Sequence, residues 1–205
     1  SDSVFDVELS ISDTRELKQV TNQIRRVLDL DSDPQLIKTG LVATGLDEKS
    51  VVAGLRLPGV WHPFEAGCRA ILGQQISVQA AIKLVTQLVQ QLGKVKEGLF
   101  FFPEPQTIAH LDLSFLKMPE SRRKALRGFA QWYAENPQCD DLDNWLKIKG
   151  VGPWTVAYAK LRGQSQPDIW LDSDLVIKHQ LKKHSVDPES AKPWRSYLTF
   201  QLWSM

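Results

Sequence analysis

Apolar positions recur with helical spacing along most of this chain. Leu17, Val20, Ile24, Val27 and Leu28 stand three and four residues apart, which gathers their side chains on one face of an α-helix. Just before them, Asp13 is followed three residues later by Glu16 in the segment 12–16, the pairing that opens a capped helix. Phe64, Cys68, Ile71 and Leu72 repeat the pattern. Val78, Ala81, Ile82, Val85, Leu88, Val89 and Leu92 extend it through a long helix that Ser77 precedes and Gly93 stops. Arg122, Arg123 and Lys124 open a further helix that ends near Tyr133, and this basic triplet reads as a solvated helix face. Pro58, Gly59 and Pro63 break one connection, and Phe100 to Pro103 begin another.

Only the N-terminus alternates. Val7, Leu9 and Ile11 are apolar while Asp6, Glu8 and Ser10 are polar, the period of a half-buried strand. No second clear strand follows, and a strand without a partner leaves its backbone groups unpaired. Residues 1–11 are therefore expected to add to a sheet elsewhere in a longer parent chain; the alternative is an extended arm lying on the helices. Residues 12–205 form the helical body.

Composition narrows the class. The 205 residues carry 25 Lys and Arg against 24 Asp and Glu, with 42% hydrophobic and 24% charged positions, which excludes a disordered tail or a coiled coil. No run approaches the roughly 18–20 apolar residues of a membrane span, and no basic-then-apolar signal opens the chain. Two cysteines, Cys68 and Cys139, build neither a disulfide framework nor a four-cysteine metal site, so a reducing cytoplasmic compartment is expected. The net charge of +1 argues against nucleic-acid binding by bulk electrostatics. Asp29, Asp31 and Asp33 have the spacing of a calcium loop, but Pro34 and Gly40 stand where such a loop wants Gly and Glu. The segment reads as a polar loop.

Residues 141–163 carry the informative chemistry. Asp141 or Asp143 caps a short helix with Trp145, Leu146 and Ile148; Gly150 and Gly152 permit a tight reversal; Pro153 suits the first turn of a second helix, and Gly163 its stop. Trp154, Ala157, Tyr158 and Leu161 share one face of that second helix. Backbone N–H groups of Gly150, Val151 and Gly152 at such a helix start can bind an anion, for which a DNA phosphate needs little net positive charge from the protein. Downstream, Asp172 and Asp174 precede the apolar run Leu175-Val176-Ile177. On spacing alone they are either helix caps or a working pair of carboxylates.

Taken together, these segments resemble the helix-hairpin-helix DNA glycosylase superfamily, and within it the bacterial enzymes of alkylation repair. The resemblance runs from about Leu9 to the C-terminus. It includes Gly54-Leu55-Arg56-Leu57-Pro58-Gly59, Phe64-Glu65, Arg69 to Gln74, the hairpin, the segment around Asp174, and Lys192-Pro193-Trp194-Arg195-Ser196-Tyr197. It implies a mainly α, two-lobed core with DNA at the cleft, and makes the alternating segment the last strand of an N-terminal β-rich domain.

The same resemblance implies roles. Asp174 matches the catalytic aspartate, and Trp154, Tyr158 and Trp203 match positions lining the pocket for a flipped base. Gln75 matches the residue that wedges into the DNA stack. The carbonyls of Leu146, Ile148 and Val151 match those that can hold a monovalent cation against a phosphate. Bifunctional relatives place a nucleophilic Lys where Trp154 stands, so the resemblance implies a monofunctional hydrolase of alkylated purines (3-methyladenine and 7-methylguanine), without a cofactor and acting as a monomer on double-stranded DNA. A non-catalytic hairpin module that only binds DNA is the alternative, and it has no need of Asp174 beside an aromatic pocket.

Overall fold

The computed structural model describes residues 5–11 and 13–205. Residues 1–4 and Ser12, which fall in the predicted strand and helix start, lie outside that range. Residues 5–11 run as chain without regular structure, and Phe5 to Ser10 are exposed on both sides of the alternation. Among the described residues no strand offers them a ladder.

Nine α-helices follow among the described residues: α1 (Leu17–Val27), α2 (Pro34–Ala43), α3 (Pro63–Gly73), α4 (Val78–Leu92), α5 (Pro105–His110), α6 (Glu120–Glu135), α7 (Pro153–Gly163), α8 (Leu175–Lys183) and α9 (Arg195–Trp203). Side-chain caps set several starts. Asp33 accepts from Gln35 N at 2.8 Å to open α2, and Ser77 accepts from Ala80 N at 3.2 Å to open α4. The expectation of no further strand is corrected by a small hairpin, β1 (Val95–Lys96) paired antiparallel with β2 (Leu99–Phe100). Its turn residues Glu97 and Gly98 both have positive φ, 53° and 77°, as a two-residue hairpin turn requires. Glutamate is an unusual first turn residue, and the pattern was hidden for that reason.

Two apolar clusters make the two lobes. The first gathers Phe64, Cys68, Ile71, Leu72, Leu88, Leu126, Phe129 and Trp145 from α3, α4, α6 and the 3₁₀ turn Leu142–Lys147. The second gathers Ile37, Leu41, Leu57, Leu171, Ile177, Tyr197, Leu198 and Leu202 from α2, α8, α9 and the segments between. Helix α7 belongs to both: Val156 and Ala159 face the first cluster, Leu161 the second. Gly163 is the last residue of α7 rather than a residue beyond its end. A Cβ there would lie 2.7 Å from Pro63 Cα, so glycine serves the close approach of α7 to α3.

Two polar ties fasten the end of α1 to the rest of the fold. Asp29, at φ 53°, accepts from Leu57 N at 2.8 Å and from the Tyr197 hydroxyl at 3.0 Å, joining the end of α1 to α9. Burial, with the Asp29 carboxylate alongside, pushes the Tyr197 hydroxyl above its ordinary pKa. The acidic loop thus has a structural role, with Asp31 paired to Arg25 and Asp33 capping α2. Arg26 donates to Gly163 O at 2.9 Å, Val60 O at 2.8 Å and Ser165 Oγ at 3.1 Å, covering the Gly163 carbonyl at the C-terminal end of α7.

Candidate active site and DNA interface

The hairpin begins with a 3₁₀ turn that Asp141 caps, accepting from Asp143 N at 3.0 Å; Ile148 lies just past its end. Gly150 then turns the chain at φ 91°, where a Cβ would meet Ala125 Cβ at 2.5 Å. Both the left-handed backbone and the closeness of α6 demand glycine. Gly152 differs. Its backbone is extended, it stands at the N-cap of α7, and a Cβ there would meet nothing within 4 Å.

The amides of this turn are not equivalent. Val151 is buried and its N–H donates to Ile148 O at 3.0 Å. Expecting a phosphate contact from that amide is therefore corrected: it is spent closing the turn. No backbone acceptor is assigned to the amides of Gly150 and Gly152 among the described residues. The three carbonyls matched to a cation site keep acceptor capacity. None of the described turn or loop hydrogen bonds ends on Leu146 O or Val151 O, and Ile148 O, engaged once, keeps a second lone pair.

Gln74 and Gln75 join α3 to α4, and the structure separates them. Gln75 is exposed, with φ 57°. Gln74 donates to Gly150 O at 3.2 Å and to Thr155 Oγ1 at 3.3 Å, which clamps the α3–α4 turn onto the hairpin. Sequence spacing does not reveal this clamp, because the partners lie more than seventy residues away in sequence.

Asp174 is the N-cap of α8. Its Oδ1 accepts from Val176 N at 2.9 Å and Ile177 N at 3.1 Å, so capping fixes the carboxylate before any other contact is made. The Trp203 indole N–H donates to the same oxygen at 3.2 Å, and the Trp154 indole N–H to Oδ2 at 3.1 Å. The residue is 9% exposed. Four N–H donors hold it, three on Oδ1 and one on Oδ2, which leaves Oδ2 the oxygen with accepting capacity to spare. Asp172, two residues earlier, is exposed and is not among these partners. Of the two readings of the carboxylates, the helix cap holds for Asp174, which is also the centre of the indole cluster.

The rings are continuous around it. Trp154 and Tyr158 stack with centroids 5.3 Å apart and planes at 27°, and Tyr158 meets Trp203 at 6.4 Å. One turn further down their helices, Phe200 packs edge-on against Trp203 at 5.2 Å, and the Arg162 guanidinium lies 5.4 Å from the Phe200 ring centre. Sequence spacing finds Trp154 and Tyr158 on one face of α7. It does not bring Phe200 and Trp203 of α9 against them.

The chain is similar to known proteins along most of its length. Residues 1–62 match the AlkA N-terminal domain family. Over 203 residues the chain is 34% identical to DNA-3-methyladenine glycosylase 2 of Escherichia coli, covering 88% of this chain and 70% of that protein. The chain belongs to the DNA-3-methyladenine glycosylase 2 family. It is also 32% identical, over 221 residues, to a probable bifunctional transcriptional activator/DNA repair enzyme AlkA of Mycobacterium tuberculosis. That match takes in 96% of this chain and 44% of the relative, so the chain spans less than half of that protein's length. Among solved structures, the 3-methyladenine DNA glycosylase of Archaeoglobus fulgidus is similar in fold, with a TM-score of 0.72 and 18% identity over 93% of this chain and 75% of the other. The helix-hairpin-helix glycosylase fold expected from the sequence is the fold observed. The match to the family's N-terminal domain runs past the alternating segment and through α1 and α2.

Proposed function

We propose that this chain hydrolyses the N-glycosidic bond of alkylated purines, 3-methyladenine and 7-methylguanine, in double-stranded DNA, as the first step of base excision repair. The observation that carries the reading is the Asp174 carboxylate, buried at a helix start and held by the indole N–H groups of Trp154 and Trp203. Breaking the bond leaves both electrons on the purine and positive charge on the sugar. A fixed carboxylate stabilises that charge as it develops. Because the carboxylate is already oriented by four donors, three on Oδ1 and one on Oδ2, little reorganisation is required at the moment of reaction.

Among the described residues Oδ2 accepts from Trp154 alone, so it keeps a lone pair for a sugar or water. Water then adds to the sugar carbon, with Asp174 placed to take its proton. An indole cannot form a Schiff base, which supports hydrolysis without strand cleavage. The base must leave the stack to enter such a site, and the ring faces of Trp154, Tyr158 and Trp203 attract the positive charge of an alkylated purine. Gln75 fits the wedge at the vacated position.

The amides of Gly150 and Gly152 at the start of α7 suit a backbone phosphate. The carbonyls of Leu146, Ile148 and Val151 would hold a monovalent cation beside it, which contributes charge to binding. In this reading the protein works as a monomer, in the bacterial cytoplasm, at the nucleoid. The test is incubation with methylated duplex DNA, followed by chromatography of the released bases and electrophoresis of the strand. Free methylated purine and an alkali-sensitive but unbroken strand are expected. No base release, or a strand cut without alkali, contradicts the proposal.

A further inference from the structure

Arg162, partly exposed, sits behind the aromatic wall with no carboxylate paired to it among the described residues. It follows Trp154 and Tyr158 at the same four-residue interval, so it occupies the same face of α7 one turn deeper. Its guanidinium lies over Phe200, and Phe200 packs against Trp203. Among the described residues its side chain makes no hydrogen bond and no ion pair, and its Nε is buried without a partner. The guanidinium of Arg26, near the backbone carbonyl of Arg162, meets only neutral oxygens among the described residues, those of Gly163, Val60, Trp61, Ser165 and Gln23. A buried polar atom without a partner in an otherwise satisfied fold calls for an explanation.

We infer that Arg162 is a specificity-determining residue, whose positive charge behind the pocket assists departure of uncharged purines and opposes the binding of cationic ones. The inference rests on the glycosylase reading above. On that reading Asp174 faces the sugar, and Arg162, separated from the carboxylate by Phe200 and Trp203, stands on the side of the base, where the two fields act in the same sense along the breaking bond. When the bond breaks, both electrons pass to the purine. A cationic lesion departs neutral: Arg162 repels it in the bound state and has little left to act on in the transition state. A neutral lesion departs as an anion that later takes up a proton, and Arg162 stabilises it as it forms. The charge therefore raises kcat/KM for neutral lesions and leaves that of cationic lesions nearly unchanged, because for these the weaker binding and the faster step offset one another.

Single-turnover rates on 7-methylguanine and hypoxanthine in the same duplex, against enzyme concentration, test this with wild type, Arg162→Gln, Arg162→Met and Arg162→Lys. Each preparation supplies its own ratio between the two lesions, so a partly inactive variant does not distort it. In the Gln and Met variants the ratio of 7-methylguanine to hypoxanthine efficiency should rise about three- to tenfold, the size expected for one charge acting across a ring at an intermediate effective dielectric. On 7-methylguanine the maximal rate and the half-saturating enzyme concentration should fall together. Arg162→Lys keeps the charge without the planar contact to Phe200 and should hold the wild-type ratio. If one neutral variant does not fold, the other and the Lys variant still decide. An unmoved ratio in a neutral variant overturns the inference, as does a Lys variant that shifts like Gln. Absence of base release by wild type itself is a separate outcome, and defeats the glycosylase reading instead.

Discussion

Trp154 and Asp174, twenty residues apart in sequence, meet through a single hydrogen bond of 3.1 Å from the indole N–H to Oδ2. Trp203 reaches the opposite oxygen at 3.2 Å. The carboxylate is thereby held by one ring from each of two helices, and by the start of a third.

These two bonds have different consequences. Trp203 binds the oxygen already fixed by the α8 amides, so it only positions the group. Trp203→Phe keeps a ring and removes the donor, and a hydrogen bond to a charged acceptor is worth roughly 1.5–3 kcal/mol. A drop of about tenfold or more in single-turnover rate is expected. Trp154→Phe removes a donor that draws charge from the oxygen facing the substrate, and should cost less. Parallel rate measurements check the order; the reverse order contradicts the assignment of Oδ2 as the reacting oxygen.

Gly150 and Gly152 separate fold from binding. Gly150→Ala meets a left-handed backbone and Ala125, and should lower stability by about 1–3 kcal/mol. Gly152→Ala meets no atom, so its melting temperature should match wild type. Its affinity for DNA should nonetheless fall equally for all sequences if a phosphate sits there. Denaturant melts and binding isotherms distinguish the two. The slope of log affinity against log salt should stay shallow, since the contacts proposed come from backbone amides more than from Lys or Arg.

Gln74 predicts a coupling between the wedge turn and the hairpin. Gln74→Ala frees Gly150 O and Thr155 Oγ1 and should weaken DNA binding several-fold, with a stability loss of about 1 kcal/mol for the lost bonds. Affinity and melting measured on one preparation check this. Unchanged affinity shows that the turn needs no such clamp.

Alkaline stability should depend on Tyr133. Burial pushes its hydroxyl up to about 12, with Asp140 adding to the rise. The folded state therefore keeps the proton that the unfolded chain releases near pH 10. The resulting stability is complete below about pH 10 and is lost as pH rises towards 12. Tyr133→Phe should be less stable than wild type at pH 8, because it loses the 3.3 Å contact to His62 Nδ1, but should fall less steeply between pH 10 and 12. Thermal melts across that range decide the matter, and parallel curves contradict the prediction.

Much of the site was legible because it is local. The G-V-G reversal, Pro153 at a helix start, and the i, i+4 pair of Trp154 and Tyr158 are short-range patterns, and each stands as read. Asp174 was legible as a cap for the same reason. What was not legible depends on distant partners: Gln74 on the hairpin, Tyr197 on Asp29, and Arg162 behind Phe200. The alternation of residues 5–11 is a genuine strand pattern, but a strand is a relation between two segments and the described chain supplies only one. The β1–β2 turn escaped because Glu97 takes a conformation usually left to Asn or Gly.

The central claim is that Asp174 supplies the charge that breaks the glycosidic bond. Single-turnover release of 7-methylguanine by Asp174→Asn, with affinity for the same duplex measured alongside, tests it most directly. The account predicts a rate lower by about 10²–10³ or more, with DNA binding close to wild type and Asp172→Asn nearly as active as the parent. Base release at a near-normal rate by Asp174→Asn contradicts it, and an equal loss in Asp172→Asn moves the chemistry away from Asp174.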